Sequence, residues 1–165
     1  MHLEGSCRCG AVTFSCDAYA PMPYLRCYCS ICRKTDGGGG YAINLGAWDG
    51  SLAVKGGEHV AVWQATIGGR RSEAERRFCR GCGAALWVWD PRWPELVHPF
   101  ASAIDTPLPL PPHAVHMMLG DKPDWVRAEI GDGDRVHDGY PDQSLRDWHA
   151  EQGALDEHDQ AEEGG

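Results

Sequence analysis

Seven of the eight cysteines fall in three tight clusters: Cys7-Arg8-Cys9-Gly10, Cys27-Tyr28-Cys29-Ser30-Ile31-Cys32 and Cys79-Arg80-Gly81-Cys82-Gly83. Thiolates at such spacing are the usual ligands of tetrahedral zinc. Cys9 and Cys82 are each followed by glycine, which tolerates the positive φ that turns backbone N–H groups toward metal-bound sulfur, whereas Cys32 is followed by Arg33. On that ground Cys7 and Cys9 pair with Cys79 and Cys82 as a closed, structural four-thiolate zinc site. Cys27, Cys29 and Cys32 remain as a second zinc site with one coordination position open. Two Zn²⁺ ions per chain are therefore expected. Disulfides are the alternative, disfavoured in a reducing compartment, where clustered cysteines more often bind metal.

The open site suggests sulfur chemistry. Three thiolates leave Zn²⁺ with a formal charge of −1, which makes it a poor generator of hydroxide but still able to accept a further thiol and hold it as a nucleophilic thiolate. Cys27, Cys29 and Cys32 are the candidate catalytic site, and Arg33 and Lys34, directly after it, are candidates for holding an anionic substrate. Cys16 is a possible fourth ligand, but Val12, Phe14 and Cys16 share one face of an alternating segment, so it is read as a buried inert thiol. His98, His113 and His116 are read as surface or satisfied histidines. Arg70, Arg71, Arg76, Arg77 and Arg80 form the one basic concentration. It is read as a solvated loop with Glu73 and Glu75 as neighbours, the alternative being recognition of carboxylates by guanidinium forks.

The elements that must carry these residues are short. Residues 11–16 alternate apolar and polar, and 41–45, 60–66, 85–89 and 114–119 are further strand candidates between Gly, Pro, Asp and Asn turns. No long apolar period of 3.6 residues occurs in 1–130, so the expected class is all-β, with small packed sheets and only short helices. Glycines 37–40 read as a flexible turn or a lip beside the second site, and 107–112 as an extended surface connection.

At 165 residues the chain suits one core domain. Its net charge of −9 is uneven: 1–130 carry 13 acidic and 13 basic side chains, against 11 and 2 in 131–165. The expected organisation is a zinc-binding domain over 1–130 and an acidic extension over 131–165, partly helical or disordered, with a short helix near 144–150. A body without basic surplus argues against nucleic acid as partner. The opening residues show no signal-peptide pattern and no apolar run reaches membrane length, so the cytoplasm is the expected compartment and no membrane partner is expected. Neither a phosphate loop with lysine nor a Gly-x-Ser-x-Gly elbow is present.

Three motifs in this order, Gly5-Ser6-Cys7-Arg8-Cys9-Gly10-Ala11-Val12-Thr13-Phe14, Cys27-Tyr28-Cys29-Ser30-Ile31-Cys32-Arg33-Lys34-Thr35 and Phe78-Cys79-Arg80-Gly81-Cys82-Gly83, resemble the glutathione-dependent formaldehyde-activating enzyme family. With Ala103-Ile104-Asp105, residues 112–116 and Trp125, the likeness spans most of 3–126. The resemblance implies a β-tent fold with a zinc-ribbon-like four-cysteine clamp, the same two ligand sets, and a carbon–sulfur lyase that joins formaldehyde to glutathione. A small thiol or aldehyde is then the expected partner, with a non-catalytic zinc-binding protein-interaction module as the alternative. One departure stands out: the family usually has histidine where this chain has Tyr28, which leaves the ligand set intact but removes a possible proton carrier or hydrogen bond.

Overall fold

The computed structural model describes residues 1–18 and 22–154. In chain order its elements are β1 (His2–Ser6), β2 (Thr13–Asp17), β3 (Tyr24–Cys27), α1 (Ser30–Thr35), β4 (Ala42–Asn44), β5 (Ala47–Trp48), β6 (Ala53–Lys55) and β7 (Val60–Trp63). There follow β8 (Thr66–Ile67), β9 (Arg70–Arg71), β10 (Glu75–Cys79), β11 (Ala85–Trp89), β12 (Leu96–Pro99), β13 (Ala114–Met117), β14 (Arg135–Val136) and α2 (Leu145–Glu151). This is the expected architecture of small sheets with only short helices. None of these helices is long and apolar enough to cross a membrane.

Three sheets build the body. β1, β2 and β6 form one; β5, β12, β11, β10 and β7 form a five-stranded antiparallel sheet; β14, β13, β3 and β4 form a third, in which β13 runs parallel to both β3 and β14. β8 and β9 make a small separate hairpin. Alternation works as expected in β2, where Phe14 and Cys16 face inward. Leu3, opposite Cys16 in the β1–β2 ladder, joins them in a core with Val12, Leu45, Leu86, Trp87 and Val97. The Phe14 and Trp87 rings meet at 5.1 Å between centroids, which ties the first sheet to the second.

One expectation changes. Residues 75–79 are not a solvated loop: they form β10, hydrogen-bonded on both sides, to β7 and to β11. Arg76 and Arg77 are half-buried there, because long basic side chains can lay their stems along apolar neighbours and keep their heads at an edge. Residues 131–154 carry the expected short helix and a strand besides. β14 extends the third sheet, and α2, capped by the Ser144 hydroxyl accepting from the Asp147 N–H at 3.0 Å, buries Trp148 and His149 against the body. The His149 Nε2 lies 2.6 Å from the Met22 carbonyl. Most of the very acidic end, 155–165, lies outside the described residues.

Glycines 37–40 form a packed turn closing onto α1, with the Gly37 N–H donating to the Cys32 carbonyl at 3.1 Å. Gly40 has φ of +97° and sits where a Cβ would come within 2.4 Å of Val126, so the backbone there needs glycine on two counts.

Candidate metal centres

Each sheet junction presents sulfur. Cys7 and Cys9 lie in the β1–β2 turn, Cys79 ends β10 and Cys82 lies in the β10–β11 turn, and the fold brings their four sulfurs together. The two turns repeat each other. Gly10 and Gly83 both have φ of +75°, the Gly10 N–H donates to the Cys7 carbonyl and the Gly83 N–H to the Cys79 carbonyl. The N–H of Val12 donates to Cys7 Sγ at 3.2 Å. The Ala84 and Cys9 N–H groups hold the Cys82 thiol down to about 6. The Ala11 N–H likewise favours the Cys9 thiolate, but the sulfurs of Cys7, Cys79 and Cys82 crowd it and push it up to about 11.

Sulfur spacing tests the fit to a metal. Cys9 Sγ stands 3.5 Å from Cys7 Sγ and 3.7 Å from Cys79 Sγ. Four thiolates at about 2.3 Å from one tetrahedral ion are about 3.8 Å apart. The set fits.

The second cluster is built where β3 hands over to α1. Cys27 ends the strand, Cys29 is the N-cap of the helix, and Cys32 lies one turn in, its N–H donating to Cys29 Sγ at 3.3 Å. Their sulfurs lie within 4.8 Å of one another, and among the described residues no fourth cysteine, histidine or carboxylate joins them. Hydrogen bonds from Cys27 and Cys32 hold the Cys29 thiol down to about 2, while the same contacts and burial push Cys27 up. The three sulfurs thus lie close enough to share protons, a place a soft cation would take instead. Both clusters can hold a metal ion.

Tyr28, between Cys27 and Cys29 in sequence, is fully buried, its ring against those of Tyr41 and His116. Its hydroxyl donates to His116 Nδ1 at 2.9 Å, and His116 Nε2 donates to Asp134 Oδ2 at 3.0 Å. Burial pushes the Tyr28 phenol up, which keeps it a donor. Burial works against ionisation of Asp134 too, yet the N–H groups of Ala114 and Gly131 and the His116 ring hold its carboxyl down to about 2. This chain braces the β3–α1 corner from inside.

Next to the second cluster lies a cavity of about 280 Å³, lined chiefly by Trp63, Phe78, Ala85 and Phe100, with Thr35, Arg76, Arg77 and Gly83. Ala85 and Phe100 also pack on the cysteine cluster, and Arg76 Nη2 donates to Cys32 Sγ at 3.6 Å.

A family model described as glutathione-dependent formaldehyde-activating enzyme matches residues 2–120. The chain belongs to this family. A Halomonas elongata protein named, provisionally, for the same activity is 60% identical over 153 residues, covering 93% of this chain and 98% of its own. A Rhodobacter sphaeroides protein of known crystal structure is 30% identical, with a TM-score of 0.50, over 64% of this chain and 91% of that one.

Within the family frame, the structure brings together both cysteine sets and leaves Cys16 apart from them, fully buried in the main core, where burial pushes its thiol up to about 11. His98 is half-buried with Nδ1 3.2 Å from the Leu45 carbonyl, and His113 is exposed. Arg33 and Lys34 sit on α1 but not on the cavity wall: Arg33 is half-buried and Lys34 exposed. Arg76 and Asp134 were not singled out by sequence. Arg76 was one of five similar arginines, and nothing short of the β10 register reveals which of them meets Cys32. Asp134 lay in a stretch whose acidity read as solvation.

Proposed function

We propose that the chain is a zinc-dependent enzyme of carbon–sulfur lyase type that joins a thiol of the glutathione kind to a small aldehyde. The observation that carries this reading is the three-sulfur cluster without a fourth protein donor among the described residues, beside a cavity. The printed names of the family and of the Halomonas relative point the same way. Cys7, Cys9, Cys79 and Cys82 would hold a structural zinc, and Cys27, Cys29 and Cys32 a second. Bound at the second site, zinc supplies a position where a substrate thiol loses its proton more readily.

The reaction balances without an oxidant or a third substrate. The thiol sulfur forms a bond to the aldehyde carbon, the C=O π pair moves to oxygen, and the proton lost from sulfur is matched by one gained on that oxygen. Cys27, Cys29 and Cys32 would hold the zinc at the reacting end, and the apolar walls from Phe100 and Ala85 limit water there. Arg33 and Lys34, at the C-terminal end of α1, add positive charge that steers an anionic thiol toward the cluster. Tyr28 acts from behind as a brace, its hydroxyl committed to His116.

The test is exchange NMR on formaldehyde and glutathione with metal-loaded protein. Faster exchange with the wild type than with Cys29→Ala is expected; an exchange rate that the wild-type protein leaves unchanged rejects the formaldehyde reaction. X-ray absorption at the zinc edge, read with metal counting, addresses the interaction-module alternative, since seven sulfurs over two zinc ions plus a light-atom ligand fit the open site and eight protein donors do not.

A further inference from the structure

β10 serves both sulfur clusters. Cys79, at its end, belongs to the four-sulfur set, and Arg76, earlier in the strand, donates through Nη2 to Cys32 Sγ of the three-sulfur set at 3.6 Å. The sheet fixes that placement from both sides. Arg76 stands opposite Trp63 of β7 and Val88 of β11, and Val88 packs on the same apolar cluster as Cys27 and Cys32. Residues directly opposite each other project from one face of a sheet, so the register turns Arg76 toward the second cluster.

The Arg76 charge needs a counterpart there. Its side chain is half-buried, and Nη1 is closed off from water with no hydrogen-bond acceptor among the described residues. Its neighbour Arg77 is balanced by the Glu75 carboxylate. Asp36 lies close enough to feel the Arg76 charge, but its Oδ1 accepts from the Ser102 hydroxyl at 2.8 Å. Cys32 Sγ is thus the group to which Arg76 hydrogen-bonds. A guanidinium drawn away from water is stable when an anion faces it, and a cysteine that ligates a metal is a thiolate.

Charge counting gives the contact a consequence. Three thiolates on a divalent ion leave a formal charge of −1, and a guanidinium on one of those sulfurs brings the sum to zero. A centre of charge −1 repels an incoming thiolate, whereas a neutral one does not. Arg33 and Lys34 lie on α1 and make no hydrogen bond to these sulfurs among the described residues.

We propose that Arg76 is the counter-charge of the second metal centre: its guanidinium holds Cys32 as a thiolate ligand and leaves the loaded centre neutral, so that the centre accepts an anionic thiol. Arg76 is a positioning residue, acting through Cys32. Its effect on an incoming thiol rests on the function proposed above, while its effect on metal affinity stands without any reaction.

Two measurements on the full chain test this, each with wild type, Arg76→Gln and Arg76→Lys. The first is zinc affinity by chelator competition, with the four-cysteine site as internal reference. Arg76→Gln is expected to weaken the second site by about 10–100-fold and leave the first unchanged, and Arg76→Lys to recover part of the loss, since it keeps the charge without the fork. Equal affinity in wild type and Arg76→Gln overturns the proposal. Weakening of both sites together also overturns it, because that is what a merely structural role in β10 would give, and so does a lysine variant no better than glutamine.

The second measurement titrates cobalt-saturated protein with 2-mercaptoethanol, a thiol without other charge, and follows the sulfur-to-cobalt charge-transfer band. The band is expected to respond in wild type at about tenfold lower thiol concentration than in Arg76→Gln. Equal midpoints, or no response in wild type, overturn the role in accepting a thiol. If both measurements come out as expected but formaldehyde exchange with glutathione is not accelerated, the counter-charge stands and the lyase reading falls. If zinc-saturated wild type and Arg76→Gln accelerate that exchange equally, the lyase reading stands and the role of Arg76 in accepting a thiol falls.

Discussion

Tyr28 shows how one residue can sit among reactive groups and serve the scaffold. It stands between two cysteines of the second cluster in sequence, but its buried ring packs against Tyr41 and His116, and its hydroxyl completes a chain through His116 to Asp134. Tyr28→Phe leaves His116 Nδ1 without its partner in a fully buried place, at a cost of about 1–3 kcal/mol. Urea unfolding should show that loss while metal content stays at the wild-type value. Asp134 makes the chain pH-sensitive. Its folded pKa of about 2 lies below the ordinary value of 3.8, so its carboxylate stabilises the fold above that ordinary value and the contribution drains away as pH falls through about 2. Acid unfolding followed by circular dichroism should therefore be steeper between about pH 4 and pH 2 in the wild type than in Asp134→Asn; superimposable curves would contradict this account. Side-chain chemistry was legible in the sequence only where spacing was local: three cysteines within six residues declare themselves, whereas Tyr28, His116 and Asp134 are brought together across 106 positions by sheet pairing.

Among the elements, the two cysteine turns depend on glycine. Gly83 needs its positive φ but has open space where a Cβ would go, so Gly83→Ala should cost only the left-handed backbone term, about 1–2 kcal/mol. Gly40 has both a positive φ and Val126 pressed against it, so Gly40→Ala should cost more. Comparing urea midpoints of the two variants gives the order directly. The glycines after Cys9 and Cys82 were readable in advance because the constraint is written within two residues. β2, β11 and β13 were readable too, since each carries a clear run of strand-forming residues. β10 was not. Its Glu75-Arg76-Arg77 opening resembles a surface loop, and only the partners on both sides, with the cavity at one face, account for charged residues inside a sheet.

At the scale of the whole molecule, the C-terminal segment through residue 154 belongs to the body that composition alone had set apart from it. Truncation after residue 130 removes the buried Trp148, the His149 contact to Met22 and the Asp134 partner of His116. The shortened chain should lose at least about 3 kcal/mol in urea unfolding relative to the full chain. Chelation should act on another joint, between the first and second sheets. If zinc fills the four-cysteine site, its removal should release the β1–β2 hairpin from the β10–β11 hairpin and lower the unfolding midpoint, with up to about 10 kcal/mol at stake. That joint also sets a clock. Cys9 and Cys79 are 70 residues apart. At roughly 5–20 residues per second, a ribosome needs about 4–14 s to deliver the second pair after the first. Throughout that interval the nascent chain carries a half-made sulfur pair, and if a metal ion fills the four-cysteine site, it can be locked in place only once the second pair has emerged.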